Sequence, residues 1–336
     1  FALCLPREEF DEKRVADSIK ELQREFSGNS FHLHTYMGVY EIRDRDEAVS
    51  IMVDKANIAA DTIKNNYDCC VAYYDEHLLE ISIEQRRLLG EFEPALQNDE
   101  FVMYLQPQVK RDGAAKGAEA LVRWVHPSRG ILTPYAFIDI LENAGLIYKL
   151  DLYIWEKAAQ KLAEWKEKGY GSYHISVNIS TKDFYIIDIY ETFTGLINKY
   201  GIAASNLHLE ITETTLMTDF EKNMNIIHKL QGVGFRVEID DFGSGYSSLN
   251  MLKDISADVL KIDMGFLRKS ENEVKGQDIL ESIITLAGKI GMDVITEGVE
   301  TKKQLDMLTM MGCHEFQGYY FSKPVPVSEF EEKYLV

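Results

Sequence analysis

The chain has 336 residues and a formal net charge of −19 at pH 7, a length that suits one large core beside a smaller module. This acidity argues against non-specific binding to nucleic acid polymers, because such binding needs Lys and Arg to replace phosphate counterions. The four cysteines show no CxxC spacing, which indicates reduced thiols and a cytoplasmic location. No apolar run approaches the roughly 18 residues of a membrane span, so a membrane tether would have to come from segments absent from this chain.

Residues 1–80 predict a partial α+β module. Its expected elements are a short strand, a helix, a strand, a helix and a strand, at 1–6, 8–26, 31–42, 45–65 and 70–74. Residues 81–97, rich in Glu and Arg, predict a helical linker. A solvated connection and a signalling lever are equally good interpretations of that linker.

Residues 98–336 predict a barrel. Eight segments there have the composition and alternation of strands, at 101–107, 118–125, 174–180, 207–213, 235–241, 259–263, 293–298 and 314–319. Most of these strands alternate with helical stretches, and eight such units in roughly 240 residues indicate an α/β fold, the TIM-type (β/α)8 barrel. That fold gathers the carboxyl ends of its strands at one mouth, where active sites are built.

Polar side chains recur at the predicted carboxyl ends of these strands. Asp240 and Asp241 close an apolar alternating run and precede a glycine-rich stretch. Two adjacent carboxylates can converge only where the strand has just ended, because strand side chains alternate between faces. Aspartates before glycine also start turns, so the pair alone does not decide. The other strands add the side chains that are expected to meet the aspartates in one mouth, namely Glu119, Asn178, Glu210, Lys261, Glu297 and Gln317.

The predicted mouth carries too much negative charge for its single lysine. Two carboxylates about 4 Å apart repel by roughly 4 kcal/mol at an effective dielectric constant near 20. Either some acids are protonated with raised pKa values, or divalent cations occupy the site. Oxygen ligands with one amide suit Mg²⁺, Mn²⁺ or Ca²⁺ better than Zn²⁺, and cations would also explain Asn178.

Seven motifs in this order resemble those of an EAL-domain cyclic di-GMP phosphodiesterase. They are EALVRW from Glu119, Asn178, LEITE from Leu209, DDFG from Asp240, KID from Lys261, EGVE from Glu297 and QGY from Gln317. The first tripeptide alone is a weak signal, but seven ordered motifs are specific. The resemblance covers roughly residues 88–336. Residues 36–40 and 54–57 resemble the second half of a GGDEF domain, whose signature glycines and acids are not in this chain, so no cyclic di-GMP synthesis is expected.

The resemblance implies a phosphodiesterase that hydrolyses cyclic di-GMP to linear 5'-pGpG and so lowers this second messenger in bacterial signalling. It implies two Mg²⁺ or Mn²⁺ ions per site, inhibition by Ca²⁺, and a homodimer formed through the barrel. The first cation would be held by Glu119, Asn178, Glu210 and Asp240, and the second by Asp240, Asp241 and Glu297.

The same resemblance assigns three catalytic roles. Lys261 or Glu297 would orient the attacking water, and Glu213 would anchor the loop at 241–248. Substrate contacts would come from Gln106, Leu121, Arg123, Asp263 and Gln317.

Two alternatives accompany this interpretation. The barrel could be a catalytically silent cyclic di-GMP receptor, which in degenerate members of the family goes with lost ligands. The ligand set here is complete and favours the enzyme. Lys261 could instead be an ion-pair partner that only balances the acid cluster.

Overall fold

The structure, a computed structural model, describes residues 1–26, 35–64, 69–242, 255–265 and 273–335. The chain divides into two compact units, Phe1–Phe92 and Glu93–Val336. The predicted boundaries at 80/81 and 97/98 remain a prediction.

The first unit contains a βαβ arrangement. In chain order its elements are a 3₁₀ turn at Arg7–Glu9, α1 (Glu12–Phe26), β1 (Met37–Val39), α2 (Val49–Asp61), β2 (Val71–Tyr73) and α3 (Glu76–Gln97), which extends into the second unit. Strands β1 and β2 pair in parallel. Helix α2 packs so closely on β1 that a Cβ at Gly38 would lie 1.8 Å from Ala56 O.

Four of the predicted elements in this unit changed, and one of them is the helix expected at 45–65, which spans Val49–Asp61. The strand expected at 1–6 is wrong: those residues are exposed and pair with no strand in the described part of the chain. An apolar segment forms a strand only where a partner offers hydrogen bonds. The strand expected at 31–42 covers only Met37–Val39 among the residues described, since 31–34 lie outside them. The helix expected from residue 8 begins at Glu12.

The second unit is a closed barrel. Its strands are β3 (Phe101–Lys110), β4 (Ala115–His126), β5 (Gly130–Leu132), β6 (His174–Ile179), β7 (Leu207–Thr212), β8 (Val237–Phe242), β9 (Val259–Asp263), β10 (Asp293–Glu297), β11 (Glu315–Phe316) and β12 (Val325–Pro326). Eight of these close the ring in the order β3, β4, β6, β7, β8, β9, β10 and β11, with β3 paired to both β4 and β11. The TIM-type barrel is confirmed.

Helices follow most of the strands. They are α4 (Ile138–Ala144), α5 (Ile147–Glu167), α6 (Asp183–Ile186), α7 (Ile189–Tyr200), α8 (Glu213–Thr218), α9 (Phe220–Val233), α10 (Glu273–Lys289), α11 (Lys302–Met310) and α12 (Val327–Tyr334). Trp155 on α5 is fully buried and donates from Nε1 to Asn178 O at 2.9 Å, which ties this helix to the carboxyl end of β6.

The first barrel strand runs against its neighbours. Strands β4 and β6 to β11 are parallel, whereas β3 is antiparallel to both β4 and β11. Only residues 111–114 join β3 to β4, with Gly113 at φ 85°. Such a tight connection can join antiparallel strands, but parallel strands need a crossover of a dozen or more residues.

The barrel interior is polar. Along β7, Leu207, Leu209 and Ile211 alternate with His208 and Glu210, and all five are buried. Because strand side chains alternate between faces, the aliphatic residues lie under the helices and the polar ones point into the barrel. The fold thus brings polar groups from several strands together inside the barrel.

Candidate active site

The ammonium group of Lys261 lies at the centre of four carboxylates. Its Nζ is 2.7 Å from Glu210 Oε2 and 2.7 Å from Glu297 Oε1. It is 3.4 Å from Glu119 Oε2 and 3.4 Å from Asp240 Oδ1. Each of the five side chains comes from a different barrel strand. The predicted convergence of these residues is therefore observed.

Amide side chains surround Glu119. Gln317 donates from Nε2 to Glu119 Oε2 at 2.5 Å and to Gln106 Oε1 at 3.3 Å. Asn178 donates from Nδ2 to Glu119 Oε1 at 3.2 Å, and Asn178 is exposed at the mouth. Both oxygens of this carboxylate thus have fixed partners, which hold it in one orientation.

A β-bulge brings the neighbouring aspartates to the site. Strand β8 continues to Phe242, and its register against β9 shifts between Ile239 and Phe242, so one extra residue is accommodated. Asp241 there has φ 55°, a left-handed conformation that is uncommon outside glycine. The strand predicted at 235–241 spans Val237–Phe242, so the two aspartates converge through the bulge, which re-aims their side chains, and not because the strand has ended.

The electrostatics of the cluster follow from burial. Burial by itself would lower the pKa of Lys261, but Asp240, Glu119, Glu210 and Glu297 together raise it well above its usual value. Burial raises the pKa of Glu297 to about 8; Lys261 opposes that rise, and Asp240 and Glu119 add to it.

Two further carboxyl groups are shifted in the same direction. Burial raises the pKa of Glu210 well above its usual value, and the charge of Glu119 adds to the rise. Burial, followed by the charges of Asp240 and Asp263, raises the pKa of Asp241. Without a further cation, the cluster therefore holds its acids against strong mutual repulsion.

The donor atoms fit a hard divalent cation. Glu210 Oε1 is buried and accepts no hydrogen bond from any residue in the described ranges. The available donors are carboxylate oxygens and one amide oxygen, the ligand types of Mg²⁺ and Mn²⁺. An unsatisfied buried carboxylate oxygen is costly unless a ligand reaches it.

The remaining predicted residues lie around this cluster. The carboxylate of Asp263 accepts a hydrogen bond from Gly265 N. Arg123 donates to Val122 O at 2.8 Å, and its guanidinium lies 5.4 Å from the centre of the Tyr104 ring. Leu121 is partly buried on the same face of β4 as Glu119 and Arg123.

The anchoring role predicted for Glu213 is not tested by the geometry. Glu213 is the first residue of α8, directly after β7, and is partly buried. Its expected partner, the loop at 241–248, lies outside the described residues from 243 onward.

A second polar group lies inside the barrel and was not predicted. Two histidines stack with ring centroids 3.8 Å apart, and the cluster that they form consists of Gln108, His174, Ser176, His208 and Glu238. We name it the lower layer. Ser176, His208 and Glu238 precede Asn178, Glu210 and Asp240 by two residues. That period-two spacing was the signal that could have identified it.

The fold and the site together define the class of this protein. It is a TIM-type barrel that holds one lysine and four carboxylates at the carboxyl ends of its strands. The EAL domain model matches residues 90–324. The chain therefore belongs to the EAL domain family.

Relatives and solved structures agree with that assignment. The chain is 32% identical to the uncharacterized protein sll1895 of Synechocystis sp., over 92% of this chain and 45% of that protein. It is 32% identical to the bifunctional diguanylate cyclase/cyclic di-GMP phosphodiesterase MucR of Pseudomonas aeruginosa, over 81% of this chain and 39% of that protein. The solved PaMucR phosphodiesterase in complex with c-di-GMP is 33% identical, with a TM-score of 0.69, and the match covers 73% of this chain and 99% of that one.

The chain thus spans less than half the length of the two curated relatives, 45% and 39%. Among its described helices, none has the length and apolar character needed to cross a bilayer.

Proposed function

We propose that this chain hydrolyses one phosphodiester bond of cyclic di-GMP to give linear 5'-pGpG. The observation that carries the proposal is the convergence of Glu119, Glu210, Asp240 and Glu297 on Lys261, with Asn178 beside them. Support also comes from MucR, whose name includes cyclic di-GMP phosphodiesterase, and from its solved complex with c-di-GMP.

We propose that two divalent cations, Mg²⁺ or Mn²⁺, bind this site, with Ca²⁺ as an inhibitor. Glu119, Asn178, Glu210 and Asp240 would hold the first, and Asp240, Asp241 and Glu297 the second. When bound, such a pair polarises the phosphate and lowers the pKa of the attacking water. The unpaired Glu210 Oε1 is the feature of the described structure that supports this proposal.

The chain's own residues supply position and charge. The Lys261 ammonium is fixed by four acids, so it can offset negative charge that develops on the phosphate without reorganising. Lys261 or Glu297 would orient the attacking water. Glu213 would hold the loop at 241–248.

The substrate would be held by residues around the acid cluster. The polar and charged side chains assigned to it are Gln106, Arg123, Asp263 and Gln317, with Leu121 as an apolar contact. Gln106 and Gln317 are buried and hydrogen-bonded to each other, which fixes their amides before substrate arrives.

The proposal is tested with purified protein and cyclic di-GMP. With Mg²⁺ or Mn²⁺ we expect 5'-pGpG to accumulate, as measured by chromatography, and we expect EDTA to stop the reaction. Asp240→Asn should remove activity. Asp306→Asn is the matched control, because it makes the same change in an acid on α11 that pairs with Arg111. Binding of cyclic di-GMP without hydrolysis would instead identify a receptor.

We also propose a homodimer through the barrel and a cytoplasmic location. Exposed apolar side chains on α6 and α8, namely Tyr185, Ile186 and Met217, support an interface near the mouth. Light scattering on the purified protein measures the oligomeric state. For residues 1–80, a GGDEF-like module without cyclase activity remains our proposal.

A further inference from the structure

The indole of Trp155 reaches from α5 to the backbone of β6 at the mouth of the barrel. Its Nε1 donates to Asn178 O at 2.9 Å. Asn178 is a proposed ligand of the first cation, and it is exposed. An exposed side chain gains no fixed position from packing, so the position of the Asn178 amide depends on how firmly its backbone is held.

The hydrogen-bond pattern of the sheet leaves the carbonyl group of Asn178 facing β4. Leu209 N donates to Arg236 O at 2.9 Å, so Leu209 faces β8 and the next residue, Glu210, faces β6. In a parallel pair, such a residue bonds to the two residues that flank its partner, and the partner of Glu210 is Asn178. The N–H and C=O groups of Asn178 itself therefore point the other way, toward β4.

The pairing of β6 with β4 ends before it reaches this carbonyl group. Strands β6 and β7 are paired as far as Ile179. Strands β4 and β6 are paired only as far as Glu119 and Ser176, and farther along β4 pairs with β5. The indole N–H thus takes the place of a strand hydrogen bond where β4 and β6 separate. Glu119 and Asn178, two proposed ligands of the first cation, lie on the two sides of that gap.

Packing holds the indole in place. Trp155 is 0% exposed, and its ring centroid lies 4.5 Å from that of Phe193 on α7, which is also fully buried. Because protein interiors are close-packed, the indole cannot turn without displacing its neighbours. The packing of α5 and α7 on the barrel therefore fixes the donor that reaches Asn178 O.

We propose that Trp155 is a positioning residue for Asn178 and so for the first divalent cation, an inference that rests on the proposed function. Its N–H holds the backbone of Asn178 beside Glu119. From there the amide Nδ2 donates to Glu119 Oε1 at 3.2 Å, which leaves the amide oxygen to bind the cation. Groups that orient a metal ligand without touching the ion typically contribute about 10–100-fold to metal affinity.

The test measures Mn²⁺ binding directly, by the loss of the free-ion signal in electron paramagnetic resonance, without cyclic di-GMP. Trp155→Phe keeps an aromatic ring in the core and removes the N–H, and we expect the Mn²⁺ Kd to rise about tenfold. Trp165→Phe is the matched control on the same helix: Trp165 is also 0% exposed, and its Nε1 donates to Glu331 Oε1 at 2.8 Å. Both variants lose one buried hydrogen bond, but the control should keep its Kd within about twofold of the parent.

A double variant tests whether the indole acts through Asn178. Asn178→Ala alone should weaken Mn²⁺ binding by at least about tenfold, because a cation ligand is lost. Adding Trp155→Phe to it should change the Kd by less than about twofold, since the group that the indole positions is no longer there. A role of Trp155 in general stability would instead weaken binding further.

The proposal would be overturned by an unchanged Kd in Trp155→Phe, by an equal rise in Trp165→Phe, or by a further tenfold loss in the double variant. If Asn178→Ala leaves no measurable binding, the comparison of the two tryptophan variants decides alone. If Trp155→Phe does not fold, as judged by circular dichroism, 3-benzothienylalanine at position 155 replaces it, because that side chain keeps the shape of the indole and lacks only the N–H.

The same titration separates this proposal from the proposed function. A parent protein that binds no Mn²⁺ would overturn the role of Trp155. A parent protein that binds Mn²⁺ but leaves cyclic di-GMP intact would contradict the proposed function and leave the comparison of the variants valid.

Discussion

The acid cluster and the lower layer share strands β7 and β8 but balance their charges differently. In the acid cluster, one ammonium group serves four carboxylates, and Glu210 Oε1 has no partner among the described residues. In the lower layer, Glu238 has one histidine partner and a serine donor. One carboxylate oxygen in each layer, Glu210 Oε1 and Glu238 Oε2, has no hydrogen-bond partner among the described residues. The layers differ instead in the number of carboxylates per basic side chain, which is four around Lys261 in the acid cluster and one beside His208 in the lower layer. The following predictions test that contrast.

The largest effect is expected from removing one acid of the cluster. Glu119→Ala and Asp240→Ala should each lower hydrolysis by at least about a hundredfold, because a cation ligand is lost. The thermal midpoint without metal should hold or rise, since a repelling charge has gone. Activity assays with added Mg²⁺ and thermal melts measure both. A variant that keeps half its activity would remove that residue from the site.

The next effect concerns the shared ammonium group. Lys261→Ala should lower kcat by about a hundredfold while cyclic di-GMP still binds, because the charge of Lys261 is used in the transition state. Stability without metal should also fall, by about 3 kcal/mol, since four acids lose their cation. Binding by calorimetry and steady-state kinetics separate the roles. Lost binding with kcat preserved would favour the ion-pair or substrate-affinity interpretation.

The excess of carboxylates in the acid cluster should also make the stability of the protein depend on pH. The carboxyl group of Glu297 has a pKa of about 8 in the folded protein, against an ordinary value of 4.5. The folded state therefore binds the extra proton, and stability should fall as pH rises from about 4.5 to about 8, by up to a few kcal/mol. Urea denaturation in EDTA measures this slope. Glu297→Gln should flatten it, and an equally steep slope in that variant would contradict the assignment.

The smallest effect tests how tightly the lower layer is packed. A Cβ at Gly117 would lie 2.5 Å from the His174 ring, so Gly117→Ala should cost about 1–3 kcal/mol of unfolding free energy. Gly195→Ala in α7 is the control, because no atom lies within 4 Å of its added Cβ. That control should be neutral or slightly stabilising. Equal stability of the two variants in urea would show that the lower layer has room to move.

The sequence was sufficient to predict the eight strands and the acid cluster, because the polar residues at the strand ends can be identified once the strands are located. It was insufficient for the direction of β3, although the ten residues between the first two predicted strands could not hold a crossover helix. The bulge at Asp240 and Asp241 depends on how β8 pairs with β9. The sequence of one strand does not determine that pairing, so the bulge was not predicted.

The lower layer was missed for a different reason. The eight histidines look scattered along the chain, yet His174 and His208 stack because β6 and β7 are neighbours in the barrel. Contacts between residues so far apart in sequence arise only from the closed sheet.

Because β3 runs against the other strands, the polypeptide enters the barrel at its mouth. Residue Phe101 pairs with Trp124 near the carboxyl end of β4, while Lys110 lies at the opposite end. Just before β3, Glu100 O accepts from Val125 N at 2.8 Å, and its carboxylate accepts from Trp124 Nε1 at 3.0 Å. A force applied to the chain just ahead of Phe101 would therefore reach β4, the strand that carries Glu119, at the rim of the barrel where the acid cluster lies.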